Sequence, residues 1–325
     1  MGMNRPVILF GLGLTTAALV ATTAAHAQQS YATRPVRLIV GFGAGGPTDI
    51  PARFIAEKLG AILKQRVVVE NKPGAAGMLA TRDAISQPAD GHTLLLCTHF
   101  ESINTAAYRN PQFKLSDLAP ISLISKYYYG IAMTNALPVN DLNGFIAHAK
   151  ANPGAISYAT LGAASAQEIF VRQLERLTGI SLNRVPFRTG PQIMPDLIAG
   201  RVHIYVSPTL AVLPLHDTKE LKVIAITSPE RLASAKDIPT LAERKFPFVR
   251  FGWLGICARE GTPQPILAEL NRHLNAIVAL PEYKGMIEKG GSIPEASTPA
   301  ELGKIIMQTR DEVASTIQEF GLQQD

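Results

Sequence analysis

The chain alternates short apolar runs with longer stretches in which apolar residues recur every three or four positions. Val36 to Val40 is an apolar run of strand length, and residues 41–47 follow it as a glycine-rich turn. Thr48 or Asp49 can cap a helix there. Ile50, Phe54, Ile55, Leu59, Ile62 and Leu63 then form a helical stripe, with Pro51 in the first turn, where proline is tolerated. A strand over 66–70, a turn over 71–74, a helix over 77–85 and a strand over 93–97 complete a first series. A second series runs strand 129–133, helix 142–151, strand 157–159, helix 165–177, strand 183–185, helix 192–198 and strands 204–206 and 221–226. A strand over 251–258 and helices over 265–279, 281–289 and 299–320 form a third block. Strands alternating with helices predict an α/β protein with doubly wound parallel sheets, and ligands at the carboxyl ends of the strands.

The length, 325 residues, is too great for one small core and suits two domains. With 46% hydrophobic and 18% charged residues the chain can bury such cores, which excludes a disordered protein. The net charge of +5 is mild, and no run of Lys or Arg marks a nucleic-acid or lipid surface, so no nucleic-acid partner is expected. Residues 1–27 read as a signal peptide: Arg5 precedes an apolar stretch, and Ala25-His26-Ala27 supplies small residues at a cleavage site. The mature protein is therefore expected outside the cytoplasm, exported by the unfolded-chain route. In an oxidising compartment Cys97 and Cys257 can pair, or each can stay buried as a small apolar thiol; the sequence leaves both open. The histidines and cysteines lack metal-binding spacing, so no metal is expected.

The sharpest local signal is Gly41-Phe42-Gly43-Ala44-Gly45-Gly46, a G-x-G-x-x-G between strand and helix, with Glu70 ending the next strand. One reading is a dinucleotide loop in an exported oxidoreductase. Export without a folded cofactor, the carboxylate of Asp49 beside the loop and the lack of a hydride-transfer site argue against it, and no cofactor is expected. What remains is physical: free N–H groups at a helix start favour an anion. A second such start, Thr160-Leu161-Gly162-Ala163-Ala164-Ser165, could grip the other end of a short diacid. No G-x-S-x-G is present, and a hydrolase is not indicated.

Several of these segments, in order and spacing, resemble the periplasmic solute-binding proteins of tripartite tricarboxylate transporters, the Bordetella uptake gene type. They are residues 34–49, the run Val67-Val68-Val69-Glu70-Asn71-Lys72-Pro73-Gly74, Pro88 to Leu95, Val185-Pro186-Phe187-Arg188, Thr227-Ser228 with Arg231, and Trp253-Leu254-Gly255 followed by Gly261-Thr262-Pro263. The resemblance implies a type II periplasmic binding-protein fold with a ligand cleft between two domains. Domain 1 would comprise 28–127 and 250–325, and domain 2 would be 128–249. It implies a monomer without catalytic activity that captures a small carboxylate in the periplasm and delivers it to membrane transporter subunits, although a sensing role would use the same physics.

Carried over residue by residue, Phe42, Gly43, Ala44, Gly45, Gly46 and Thr48 would hold one carboxylate through main-chain N–H groups. Thr160, Gly162 and Ser165 would form the second loop, Thr98, His99, Phe100 and Glu101 the variable cleft loop, and Arg188 would orient the anion. Departures are Gly41 and Gly43 in place of prolines, a turn after Arg188 one residue short, and His203 and Ser207 where the family commonly has Asp. Ser207 in that position argues against an ordinary amino-acid ligand. Because few cationic side chains converge, a mono- or aromatic carboxylate is expected ahead of citrate.

Overall fold

The computed structural model describes residues 1–3, 31–162, 165–246 and 251–324. The signal-peptide reading falls on residues that lie almost wholly outside this set. Within residues 31–325, a single compact unit, the expected alternation is realised. Strand β1 (Val36–Val40), helix α1 (Asp49–Leu63), β2 (Val67–Asn71), α2 (Met78–Ser86), β3 (Thr93–Thr98) and α3 (His99–Ala107) lead to β4 (Leu118–Met133). Then follow α4 (Leu142–Ala151), β5 (Ser157–Thr160), α5 (Ala166–Thr178), β6 (Asn183–Pro186), α6 (Gly190–Ile198), β7 (Ile204–Pro208), α7 (Thr209–Asp217) and β8 (Lys222–Ile226). The chain ends with β9 (Phe251–Arg259), α8 (Gln264–Val278), α9 (Pro281–Lys289), β10 (Ser292–Pro294) and α10 (Pro299–Phe320).

Two halves of sheet share one organising strand. In the first half β2, β1 and β3 are parallel, β9 returns antiparallel beside β3, and β4 completes the order β2-β1-β3-β9-β4. In the second half β6, β5 and β7 are parallel, and the far end of β4 lies antiparallel between β7 and β8. The switch occurs within β4: Tyr128 pairs with Phe251 of β9, and the next residue, Tyr129, pairs with Pro208 of β7. Each half therefore has three parallel strands beside one antiparallel strand that arrives from elsewhere in the chain.

The helical stripe of α1 is shifted from the one read in the sequence. Ala52, Ile55, Ala56, Leu59 and Leu63 are buried, whereas Ile50 and Ile62 are 40% and 41% exposed. The core face follows the small alanines, because α1 packs close to β1 and β2, and Ile50 is left free to face the cavity described below. Cys97 and Cys257 form a disulfide with a Cα–Cα distance of 5.8 Å. They lie diagonally across the β3–β9 pair, since Cys97 faces Gly255 and Cys257 faces Leu95. Trp253, also on β9, is fully buried, and its Nε1 donates to Thr309 Oγ1 of α10 at 3.0 Å. The third block is thus tied back onto the first half of the sheet. Among the described residues no helix is long and apolar enough to cross a membrane.

Candidate ligand-binding site

Parallel strands direct their carboxyl ends to one edge, where their last carbonyls and the N-termini of the following helices meet. Here the loops after β1, β3, β5 and β7 converge with the start of α6 around a cavity of ≈ 530 Å³. Both halves of the sheet contribute to its wall.

The first loop is pinned by a charge. The Asp49 carboxylate, 2% exposed, accepts from the Gly45 N–H at 2.8 Å, Arg53 Nε at 2.7 Å and Asn71 Nδ2 at 2.8 Å. Burial raises its pKa, but these donors outweigh burial and hold it below the usual carboxylate range. Asn71 also donates to Phe42 O at 3.0 Å, so both ends of the loop are fastened. Gly45 has φ +75°, which only glycine adopts freely, and the turn depends on it. A Cβ on Gly41 would lie 2.9 Å from Gly77 Cα, so the first glycine of the motif serves chain packing. Glu70 is gripped by Arg37 through two contacts of 2.8 Å, which removes the acidic group that a dinucleotide ribose would need. Among the described residues the N–H groups of Gly43, Ala44 and Thr48 are left without a protein acceptor.

Of the residues singled out in the sequence, Phe42, Gly43, Gly45, Gly46, Thr48, Thr98, Phe100 and Ser207 line the cavity together. Ala44 is exposed and does not. Glu101 is turned away: it completes a capping box for α3, accepting from Thr98 N at 2.6 Å and from Thr81 Oγ1 at 2.9 Å, and is 2% exposed. Burial pushes its carboxyl up, against the hydrogen bonds from Thr98 and Thr81. His99 lies behind the cavity rather than in its wall, with Nε2 2.6 Å from Tyr129 Oη and Nδ1 3.3 Å from Tyr127 Oη. Burial pushes its pKa down to about 3, so the imidazole is neutral. Thr160 and Ser165 spend their hydroxyls on each other at 2.8 Å, on Gly162 and on Glu168 N at the start of α5. From the second loop it is Leu161 that reaches the cavity; Thr160, Gly162 and Ser165 do not, and Ala163 and Ala164 lie outside the described residues. Arg188 is exposed and stands off the wall, while Gly190 and Pro191 just beyond it line the cavity. His203 bonds Ser157, its Nδ1 2.8 Å from Ser157 Oγ, and has a structural role at the base of β7.

The remaining lining has no counterpart in the sequence reading: Ile50, Tyr127, Tyr129, Gln167, and the apolar residues of α6 and α7, among them Met194, Ile198, Leu210 and Leu215. One signal was available on α6. Met194 and Ile198 lie four apart and off the buried stripe of Ile193 and Leu197, so the helix has a second apolar face that is only partly buried. Three wall atoms, Thr48 Oγ1, Gln167 Oε1 and Ser207 Oγ, are buried and lack a hydrogen-bond partner. The Tyr205 hydroxyl lies near the last two without forming a well-aligned hydrogen bond to either.

The tripartite tricarboxylate transporter family receptor profile matches residues 51–322. The chain belongs to that family. BugT of Bordetella pertussis is 30% identical over 326 residues, covering 99% of both chains. The structure of the periplasmic binding protein BugD superposes with a TM-score of 0.86 at 28% identity, over 90% of this chain and 99% of that one. The R. palustris protein Rpa4515, solved with adipate, gives 0.85 at 26% identity, over 89% of this chain and 98% of that one. The fold is accordingly that of a two-domain periplasmic binding protein, and the protein is a solute-binding receptor.

Proposed function

We propose that this chain is an exported receptor that captures a small carboxylate in the cavity between its two halves and delivers it to membrane transporter subunits. It works as a monomer in the periplasm, with domain 1 formed by 28–127 and 250–325 and domain 2 by 128–249. The observation that carries this reading is the first loop. Gly43 and Thr48 present unpaired N–H groups to the cavity at the start of a 15-residue helix, where the helix dipole favours an anion. The adipate complex of Rpa4515 supports a carboxylate ligand. Tyr128 and Tyr129 lie where β4 passes from one half to the other, and closure of the halves pivots there.

A thermal-shift screen tests the reading, with mono-, di-, tri- and aromatic carboxylates on one side and NAD and NADP on the other. A ligand at a hundredfold excess over its Kd adds about 2.7 kcal/mol of stability. Stabilisation by a carboxylate and not by a nucleotide is expected. Stabilisation by NAD or NADP alone would replace the receptor reading with an oxidoreductase.

A further inference from the structure

Tyr129 is fastened to both halves of the sheet. Its main chain belongs to the second half: the N–H donates to Thr227 Oγ1 at 2.9 Å, and the carbonyl accepts from Thr227 N at 2.9 Å, just beyond β8. Its side chain belongs to the first half, because Oη lies 2.6 Å from Nε2 of His99, the first residue of α3. This is the residue at which β4 changes partner, Tyr128 facing Phe251 of β9 and Tyr129 facing Pro208 of β7.

His99 is in turn held firmly in the first half. Thr98 and Glu101 close the capping box that starts α3 at this point. Tyr127 Oη lies 3.3 Å from the other ring nitrogen, and the main chain of Trp253 on β9 forms a further hydrogen bond with the ring. Tyr127 itself is wedged against β9, since a Cβ on Gly252 would come within 2.3 Å of its Cζ. The imidazole is neutral and 3% exposed, so water does not compete for its bond to Tyr129.

The ring of Tyr129 also separates two cavities. One is the candidate ligand cavity. The other, of ≈ 300 Å³, is lined by His99, Ile103 and Thr309 from the first half and by Ile169 and Phe170 of α5 from the second. Close-packed elements transmit strain, whereas a void between the halves leaves α5 room to swing against α3 and α10. A rotation between the halves therefore acts on the Tyr129–His99 bond, the side-chain tie that spans the pivot.

We infer that His99 is a positioning residue for closure: its bond to Tyr129 is a strut across the hinge that sets the angle between the two halves. The inference rests on the pivot placed at Tyr128 and Tyr129 in the receptor reading, and not on the chemistry of the ligand.

Distances between nitroxide labels, measured by pulsed electron resonance on the exported protein refolded free of host ligand with its disulfide intact, test this. Both native cysteines are in the disulfide, so introduced cysteines take the labels. Exposed Glu57→Cys of α1 is paired in turn with exposed Lys150→Cys of α4 and Lys236→Cys, so that motion of the second half is read along two directions. Tyr129→Phe keeps the ring in the cavity wall and removes only the hydroxyl; His99→Leu removes its partner. Each should raise the weight of distances outside the wild-type peak by roughly two- to tenfold, the range for one buried hydrogen bond. The double variant should do no more than either alone, because both changes remove the same bond. His99→Gln, whose amide can still bond the hydroxyl, should lie closer to the wild type than His99→Leu does. Unchanged distances in folded Tyr129→Phe overturn the inference, even with a lowered melting temperature, since the pair then serves packing alone. Effects that add in the double variant overturn it as well. If His99→Leu fails to fold, Tyr129→Phe and His99→Gln decide the matter: Tyr129→Phe broadening the distances while His99→Gln stays near the wild type supports the strut. Either outcome leaves the carboxylate screen untouched, and silence in that screen would remove the receptor reading without altering these distances.

Discussion

At the scale of single residues, the site depends on buried charges that never touch the cavity. Asp49 holds the first loop through three donors, one of them the Gly45 N–H. Asp49→Ala should cost about 2 kcal/mol of stability, the range for hydrogen bonds to a charged group, and weaken ligand binding because the loop loses its fastening. Denaturant unfolding and calorimetry would measure both. His99 and Glu101, adjacent in the chain to the lining residue Phe100, should bend the pH profile of stability in opposite directions. The His99 pKa is lowered to about 3, so its contribution is complete above the ordinary value of 6.5 and is lost as pH falls toward 3. That loss approaches about 1.4 kcal/mol per pH unit. Glu101 is raised, so its contribution is complete below the ordinary value near 4.5 and is lost as pH rises through its folded value. His99→Gln should flatten the fall in melting temperature on the acid side, and Glu101→Gln should flatten the decline on the rising side. Melting curves from pH 4 to 8 would contradict these assignments if both variants paralleled the wild type. Arg188, exposed and away from the wall, should tolerate Arg188→Ala with little change in Kd. Gly46→Val should weaken binding, since its Cβ would lie 3.1 Å from Gly43 O and 3.5 Å from Pro191 Cγ.

At the scale of elements, the disulfide is the strongest single tie between the opening of the chain and its return. It closes a loop spanning 160 residues, for which chain entropy alone gives roughly 5 kcal/mol. Replacing both cysteines by alanine should lower unfolding stability by about 2–5 kcal/mol and leave ligand affinity nearly unchanged, because neither cysteine lines the cavity. Unfolding titrations with and without reductant would check it. The strands and helices that alternate in the sequence were legible because each has its own apolar period and turn residues. Three features were not. Residues 99–107 are buried on nearly all sides in α3 and so present no amphipathic stripe. β4 runs for 16 residues, and only its last five stand out as a strand in the sequence, because its first part carries Pro120 and serines among its apolar residues. The Cys97–Cys257 pairing depends on β9 inserting beside β3, a long-range contact that no local pattern encodes.

At the scale of the whole molecule, the loops that bind are set by topology and the specificity by faces that local patterns describe poorly. The first loop was visible as a glycine motif followed by a helix start. Its function as a site depends on which N–H groups remain free after Asp49 has taken Gly45. The hydroxyls of Thr160 and Ser165 looked like ligand contacts, yet the fold spends them on shaping the turn into α5. The apolar wall from α6 and α7 emerges only when the second half of the sheet brings those helices opposite the first loop. A structure of the protein crystallised with a carboxylate that stabilises it in the thermal-shift screen tests the central claim most directly. It should place a carboxylate within about 2.7–3.2 Å of the Gly43 and Thr48 nitrogens. A ligand with no carboxylate on the first loop would contradict it.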